Sequence, residues 1–121
     1  MKLSSKARKK NLVWIDLEMT GLDPMRDKIL EIATLVTDSN LNILKEAPTF
    51  FISQPQSIIE NMDEWNSKHH SDSGLLDLVR TRGVHEEYAE AKVIEAIAPY
   101  INPGVSPLCG NSIWQDRRFL E

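Results

Sequence analysis

The feature that most constrains this chain is the segment Leu12-Val-Trp-Ile-Asp-Leu-Glu18. Residues 12 to 17 form a short apolar run and read as a buried strand. Asp16 and Glu18 stand two apart at its end, so in a strand they share one face, roughly 6.5–7 Å apart along the chain. Two carboxylates held that way repel each other unless cations lie between them. Mg²⁺ and Mn²⁺ prefer such hard oxygen donors, and the ions of two-metal phosphoryl-transfer sites sit roughly 3.5–4 Å apart, a spacing that one Asp-x-Glu can bridge. An ordinary solvated strand end also produces two acids, and the pattern is short and common. Two details weigh against that reading here. The preceding run is too apolar for an edge in solvent. Thr20-Gly21 follows, and a missing side chain lets a ligand approach the backbone.

Charge and composition narrow the classes. The 121 residues are one domain's worth of chain, with 41% hydrophobic residues, enough for a single core. No apolar run approaches the ~18 residues of a membrane span. A single cysteine, Cys109, makes neither an internal disulfide nor a Cys-based zinc site, which fits a reducing compartment. Of 14 basic residues, five (Lys2, Lys6, Arg8, Lys9, Lys10) fall in the first ten, where there is no acid. The remaining 111 residues carry nine basic against 18 acidic side chains. That body lacks the basic face of a nonspecific duplex binder. Any nucleic acid would be handled locally, through bound cations. Residues 1–10 read as a basic flexible tail without the apolar stretch of a secretory signal.

Along the chain, Thr20-Gly21-Leu22-Asp23-Pro24 is a turn, residues 28–37 a second strand, and residues 43–52 a third after a turn at Ser39-Asn40. Residues 63–71 suit a short helix. Ser73-Gly74 opens another over 75–82, with Gly83 as its C-terminal cap. Residues 86–98 read as an amphipathic helix with Ile94, Ile97, Ala98 and Ile101 on its buried stripe and Glu87 and Glu90 near its start. Residues 105–110 read as a fourth strand. A last helix begins near Ser112, whose spacing to Gln115 suits a capping box. A strand returning parallel to the first after a helical crossover gives a mixed α/β sheet. The last helix has scarcely begun at Glu121, so the chain reads as a fragment.

Further residues have both a functional and an ordinary reading. Asp116 falls one turn into the last helix and reaches Asp16 and Glu18 if the fourth strand neighbours the first; otherwise it complements the helix dipole. Trp65 offers a stacking surface for a base, or anchors its small helix to the core. His69 and His70 are adjacent, face different ways on a helix and make a poor metal pair. His70 is a phosphate contact or a surface histidine. Leu22 wedges between bases or packs on the core.

Taken together, the pieces are more specific than any one of them. Trp14-Ile-Asp-Leu-Glu-Met-Thr-Gly-Leu-Asp-Pro24 resembles the first exonuclease motif of the oligoribonuclease family, DEDD-type 3′→5′ exonucleases that degrade very short RNAs. Residues 29–38 are similar to its next strand. Met62-Asp-Glu-Trp-Asn66, with His70 and Ser73-Gly-Leu75, resembles its middle segment. Gly110-Asn-Ser-Ile113 and Gln115-Asp-Arg-Arg-Phe-Leu120 resemble its second motif. The resemblance covers residue 11 to the end, the N-terminal portion of one exonuclease domain.

It implies a ribonuclease H-like mixed sheet with flanking helices, two divalent cations (Mg²⁺ or Mn²⁺) and a homodimer. It implies hydrolysis of short single-stranded RNA, dinucleotides above all, to nucleoside 5′-monophosphates in the cytoplasm or a mitochondrial matrix. Asp16, Glu18 and Asp116 become catalytic metal ligands. Leu22 becomes the wedge and Trp65 the stacking platform. Thr20, His70, Asn111, Ser112 and Gln115 become further substrate contacts. The family's third motif, with a general-base histidine and a fourth aspartate, falls beyond Glu121, and no histidine follows His85, so the 121 residues alone are expected to be inactive. Trp114 stands where a small or polar residue is expected. Two other readings stay open: an exonuclease domain acting on longer DNA or RNA, and a noncatalytic nucleotide-binding module.

Overall fold

A computed structural model of the chain describes residues 10–102, 106–110 and 113–120. Residues 1–9, where the flexible tail is expected, lie outside it. Strand β1 (Leu12–Met19) runs antiparallel to β2 (Ile29–Thr37), from Leu12 opposite Thr37 to Met19 opposite Ile29, with a bulge between Glu18 and Met19. Period-two burial explains the pairing: Val13, Ile15, Leu17 and Met19 are buried on one face, leaving Trp14, Asp16 and Glu18 on the other.

The third strand of the sequence reading is two strands, β3 (Ile43–Glu46) and β4 (Phe50–Ile52). Pro48 in the gap has no N–H to give a ladder. β3 pairs with the Leu35–Thr37 end of β2 and β4 with its Glu31–Ile32 end. Two short elements were not expected: α1 (Gln56–Glu60), and β5 (Gly83–Val84), which pairs parallel with β4. Between them lie α2 (Glu64–Asp72) and α3 (Leu75–Arg82). Gly83 does end α3, but in extended rather than left-handed backbone (φ −64°). Glycine is needed there for space, because a Cβ would run into the Val79 carbonyl and the Ser53 hydroxyl.

Helix α4 (Glu86–Ile97) buries Ala89, Val93 and Ile97, four residues apart, against the sheet. That corrects the expected stripe: Ile94, about 100° around the helix from Val93, is exposed, as is Ala98, which begins a 3₁₀ turn (Ala98–Tyr100). Strand β6 covers only Leu108–Cys109 of the expected 105–110, of which Val105 lies outside the described residues. It lies parallel to β1 and leads into α5 (Ile113–Leu120).

The sheet order is β5-β4-β2-β1-β6, with β3 also on β2. The main core joins Val13, Ile15, Leu17, Ile32 and Val36 to the buried stripe of α4. A smaller cluster of Leu30, Leu75 and Val79 fastens α3 to the sheet. An apolar groove of about 280 Å³ runs between α4 and α5, with Ile15, Ile32, Val93, Ile94, Phe119 and Leu120 on its walls.

Candidate active site

Strand β1 ends at the site. Asp16 is exposed and Glu18 half-buried, on the face away from the main core. The β1–β2 register sets Ala33 opposite Asp16, and a second glutamate, Glu31, opposite Glu18. Glu31 was missed from sequence, although one charge inside Ile29-Leu-Glu-Ile-Ala33 is the mark of a strand with a single polar position. Burial, then the charges of Glu18 and Asp16, push the Glu31 carboxyl above its ordinary value.

The parallel strand β6 brings the second half. A Cβ on Gly110 would lie 2.5 Å from the Ile15 carbonyl oxygen, so only glycine lets the chain pass this close to β1. Helix α5 then turns Asp116 inward, 3% exposed. Its carboxyl is pushed up by burial first, then by the charges of Asp16 and Glu18, while a hydrogen bond from the Leu17 backbone N–H pulls the other way. The conditional expectation that β6 neighbours β1 therefore holds, and Asp116 feels both strand carboxylates. Asp16, Glu18, Glu31 and Asp116 are an all-oxygen set linked by charge, and Glu31 and Asp116 are biased towards the protonated state by burial first and by the charges of Asp16 and Glu18 second. Such a donor set suits a hard divalent cation.

The turn after β1 is fastened from within. The Thr20 hydroxyl donates to Asp27 Oδ1 and accepts from the Lys28 N–H, both at 3.0 Å, and Thr20 is 2% exposed. Its hydroxyl is thus engaged in the loop. A side chain at Gly21 would run into the Asp27 carboxylate. The loop holds Leu22 out in solvent, 60% exposed, so the core-packing reading of Leu22 is overturned.

Helix α2 supplies the opposite wall. The Asp63 carboxylate caps it, accepting from the Asn66 N–H at 2.7 Å. Trp65 does not anchor the helix: it is 68% exposed and stacks on the His69 ring at 4.8 Å and 11°. His70 is no surface histidine either, being 2% exposed. Its Nε2–H donates to the Met19 carbonyl at 2.6 Å, because a carbonyl can only accept. Its Nδ1 has no hydrogen-bond partner and faces Glu18 Oε2 at 4.0 Å. His69 and His70 also converge more than adjacency suggests. Their rings lie 5.3 Å apart, and one ligand atom from each falls within 4.8 Å of a Glu18 oxygen and of the other.

Gln115 is half-buried and its Oε1 accepts from Arg118 at 3.1 Å; Trp114 is exposed. Asn111 and Ser112, and with them the expected capping box, lie outside the described residues.

A family model described as an exonuclease matches residues 13–121, nearly the whole chain. The chain belongs to the exonuclease family. Its domain is 56% identical over 110 residues to the oligoribonuclease of Coxiella burnetii, and 56% identical over 114 residues to that of Klebsiella pneumoniae. These alignments cover 91% and 94% of this chain but 60% and 63% of those proteins, so the chain spans about three-fifths of the relatives it matches. Among solved structures, a product-bound exonuclease I superposes with a TM-score of 0.68 at 18% identity, over 91% of this chain and 24% of that one. The exonuclease I of Methylocaldum szegediense gives 0.57 at 23%, over 90% and 22%. At those identities the likeness establishes the fold: this exonuclease domain is a ribonuclease H-like mixed sheet with flanking helices. No helix among the described residues is long and apolar enough to cross a membrane.

Proposed function

We propose that the full-length protein is a 3′→5′ exoribonuclease that degrades short single-stranded RNA, dinucleotides above all, to nucleoside 5′-monophosphates. One observation carries the reading: Asp16 and Glu18 share a strand face, and their charges act on the buried Asp116 carboxyl brought in by a parallel strand. Those three residues would hold two Mg²⁺ or Mn²⁺ ions, with Glu31 beside them. When bound, such ions supply a deprotonated water nucleophile and charge stabilisation at the leaving 3′-oxygen.

The chain's own residues do the positioning. Leu22 and Trp65, both exposed, would present an apolar edge and a ring to the bases. Ser112 and Gln115 would contact the ends of the substrate, whereas His70, expected to do the same, is buried behind Glu18 with its Nε2–H held by the Met19 carbonyl. The loop fastened by Thr20 keeps Leu22 in place. We expect residues 1–121 alone, three-fifths of their relatives' length, to bind a cation without appreciable turnover. The cytoplasmic setting and the homodimer rest on the sequence resemblance.

The test is Asp16→Ala in the full-length protein. Hydrolysis of a ribodinucleotide should fall by at least ~1,000-fold, since a bound metal supplies several kcal/mol of transition-state stabilisation. Because Asp16 is exposed, stability should stay within ~0.5 kcal/mol. Near-normal turnover would overturn the assignment.

A further inference from the structure

Glu18 belongs to a second set of ligand atoms. One oxygen of Glu18 and one ring nitrogen each of His69 and His70 lie within 4.8 Å of one another. We propose that this set is a separate site for a borderline cation of the Zn²⁺ class, sharing Glu18 with the all-oxygen group.

The chemistry of the donors selects the ion. Mg²⁺ and Ca²⁺ take oxygen ligands, whereas two imidazoles and a carboxylate suit Zn²⁺ and its late first-row neighbours. His70 is the fixed member. Donation of its Nε2–H to the Met19 carbonyl at 2.6 Å sets the tautomer and leaves the lone pair on Nδ1. That nitrogen belongs to a side chain 2% exposed, has no partner, and faces a Glu18 oxygen at 4.0 Å, too far for a hydrogen bond. Two acceptors confront each other there, and a cation between them satisfies both. A tetrahedral Zn²⁺ with bonds of about 2.0–2.1 Å needs its ligand atoms roughly 3.3–3.4 Å apart. The remaining closure falls to His69, which is exposed, and to the half-exposed Glu18. The fourth position opens into a pocket of about 160 Å³ lined by Glu18, Glu31, His69, Ser73, Leu75 and Leu78, which admits water. Because Glu18 serves both sets, filling either one weakens the other, and the coupling is reciprocal.

The experiment is calorimetric titration of the full-length protein with Zn²⁺ and, separately, with Mn²⁺, without substrate. Co²⁺ serves as the spectroscopic stand-in for Zn²⁺. Wild type should bind one Co²⁺ with visible absorption typical of a four-coordinate, nitrogen-ligated ion. His69→Ala should weaken Zn²⁺ by at least the ~10–100-fold that loss of a mere outer partner costs, and leave Mn²⁺ affinity within about twofold. The double variant Asp16→Ala, Asp116→Ala should lose Mn²⁺ and keep both Zn²⁺ and the Co²⁺ spectrum. Equal Zn²⁺ affinity in wild type and His69→Ala overturns the proposal. So does loss of Zn²⁺ in the double variant, which would place the ion among the carboxylates. None of these readouts involves hydrolysis, so the nuclease reading stands or falls separately.

Discussion

Replacing Glu31 with glutamine should stabilise the cation-free protein. Glu31 lies directly across the β1–β2 ladder from Glu18, and glutamine keeps its shape while removing one charge. Directly opposed residues have Cβ atoms about 4.5–5.5 Å apart. Carboxylates at about 6 Å repel by roughly 0.7 kcal/mol in water and roughly 2.8 kcal/mol at an effective dielectric of 20. Both side chains are partly exposed, so the aqueous end governs; with a smaller contribution from Asp16, the gain is about 1 kcal/mol. An unfolding entropy of about 2.1 cal/mol/K per residue amounts to about 0.25 kcal/mol/K for a chain of this size, so Tm should rise by about 4 °C in EDTA. Saturating Mg²⁺ or Mn²⁺ should shrink or reverse that rise, because the cation neutralises the same carboxylates. The pH dependence has a definite sign. Glu31 is raised above its ordinary 4.5, so as pH climbs past 4.5 the unfolded chain has released a proton that the native state still holds. Stability contributed by this group therefore falls as pH rises through that window and levels off above the native value; Asp116 adds the same sign from 3.8 upward. The glutamine variant should show a shallower fall. Thermal melts across pH 4–7, with EDTA and with Mn²⁺, make the measurement. A lower Tm for Glu31→Gln in EDTA, or the same gain with Mn²⁺ as without, would refute the reasoning.

The other expectations are simpler. His70→Ala should cost about 2–4 kcal/mol in urea denaturation, because it opens a cavity and strands the Met19 carbonyl. Gly110→Ala should cost about 1–3 kcal/mol, since its Cβ must push β6 away from the Ile15 carbonyl, and nuclease activity of the full-length protein should fall with it. Trp65→Ala should change stability by less than ~0.5 kcal/mol and weaken dinucleotide binding about 5- to 150-fold, the worth of one stacked base, measured by equilibrium titration with a catalytically dead variant.

Much of the acidic face was legible because alternation in a strand is a local rule: Asp16 and Glu18 had to share a side once β1 was a strand. Asp116 was legible only conditionally, since its arrival depends on which strand β6 joins. Glu31 was not, because the register that sets it opposite Glu18 belongs to the pair of strands and not to either strand alone. The split between β3 and β4 has a local sign in Pro48, which has no N–H to give a ladder. Trp65, Leu22 and His70 had ordinary readings that burial alone could decide. Burial removes those ordinary readings: the two apolar residues point outward and the histidine inward.

The parallel pairing of β6 with β1 also sets an order of events in time. Val13 and its partner Leu108 stand 95 residues apart, whereas the β1–β2 hairpin closes over a short loop. At ~5–20 residues per second of synthesis, about 4–16 seconds separate the end of β2 at Thr37 from the addition of Asp116. Closing that long loop is entropically costly and comes late in refolding as well. Until Asp116 has been made and β6 has paired with β1, the acidic face lacks its buried carboxylate.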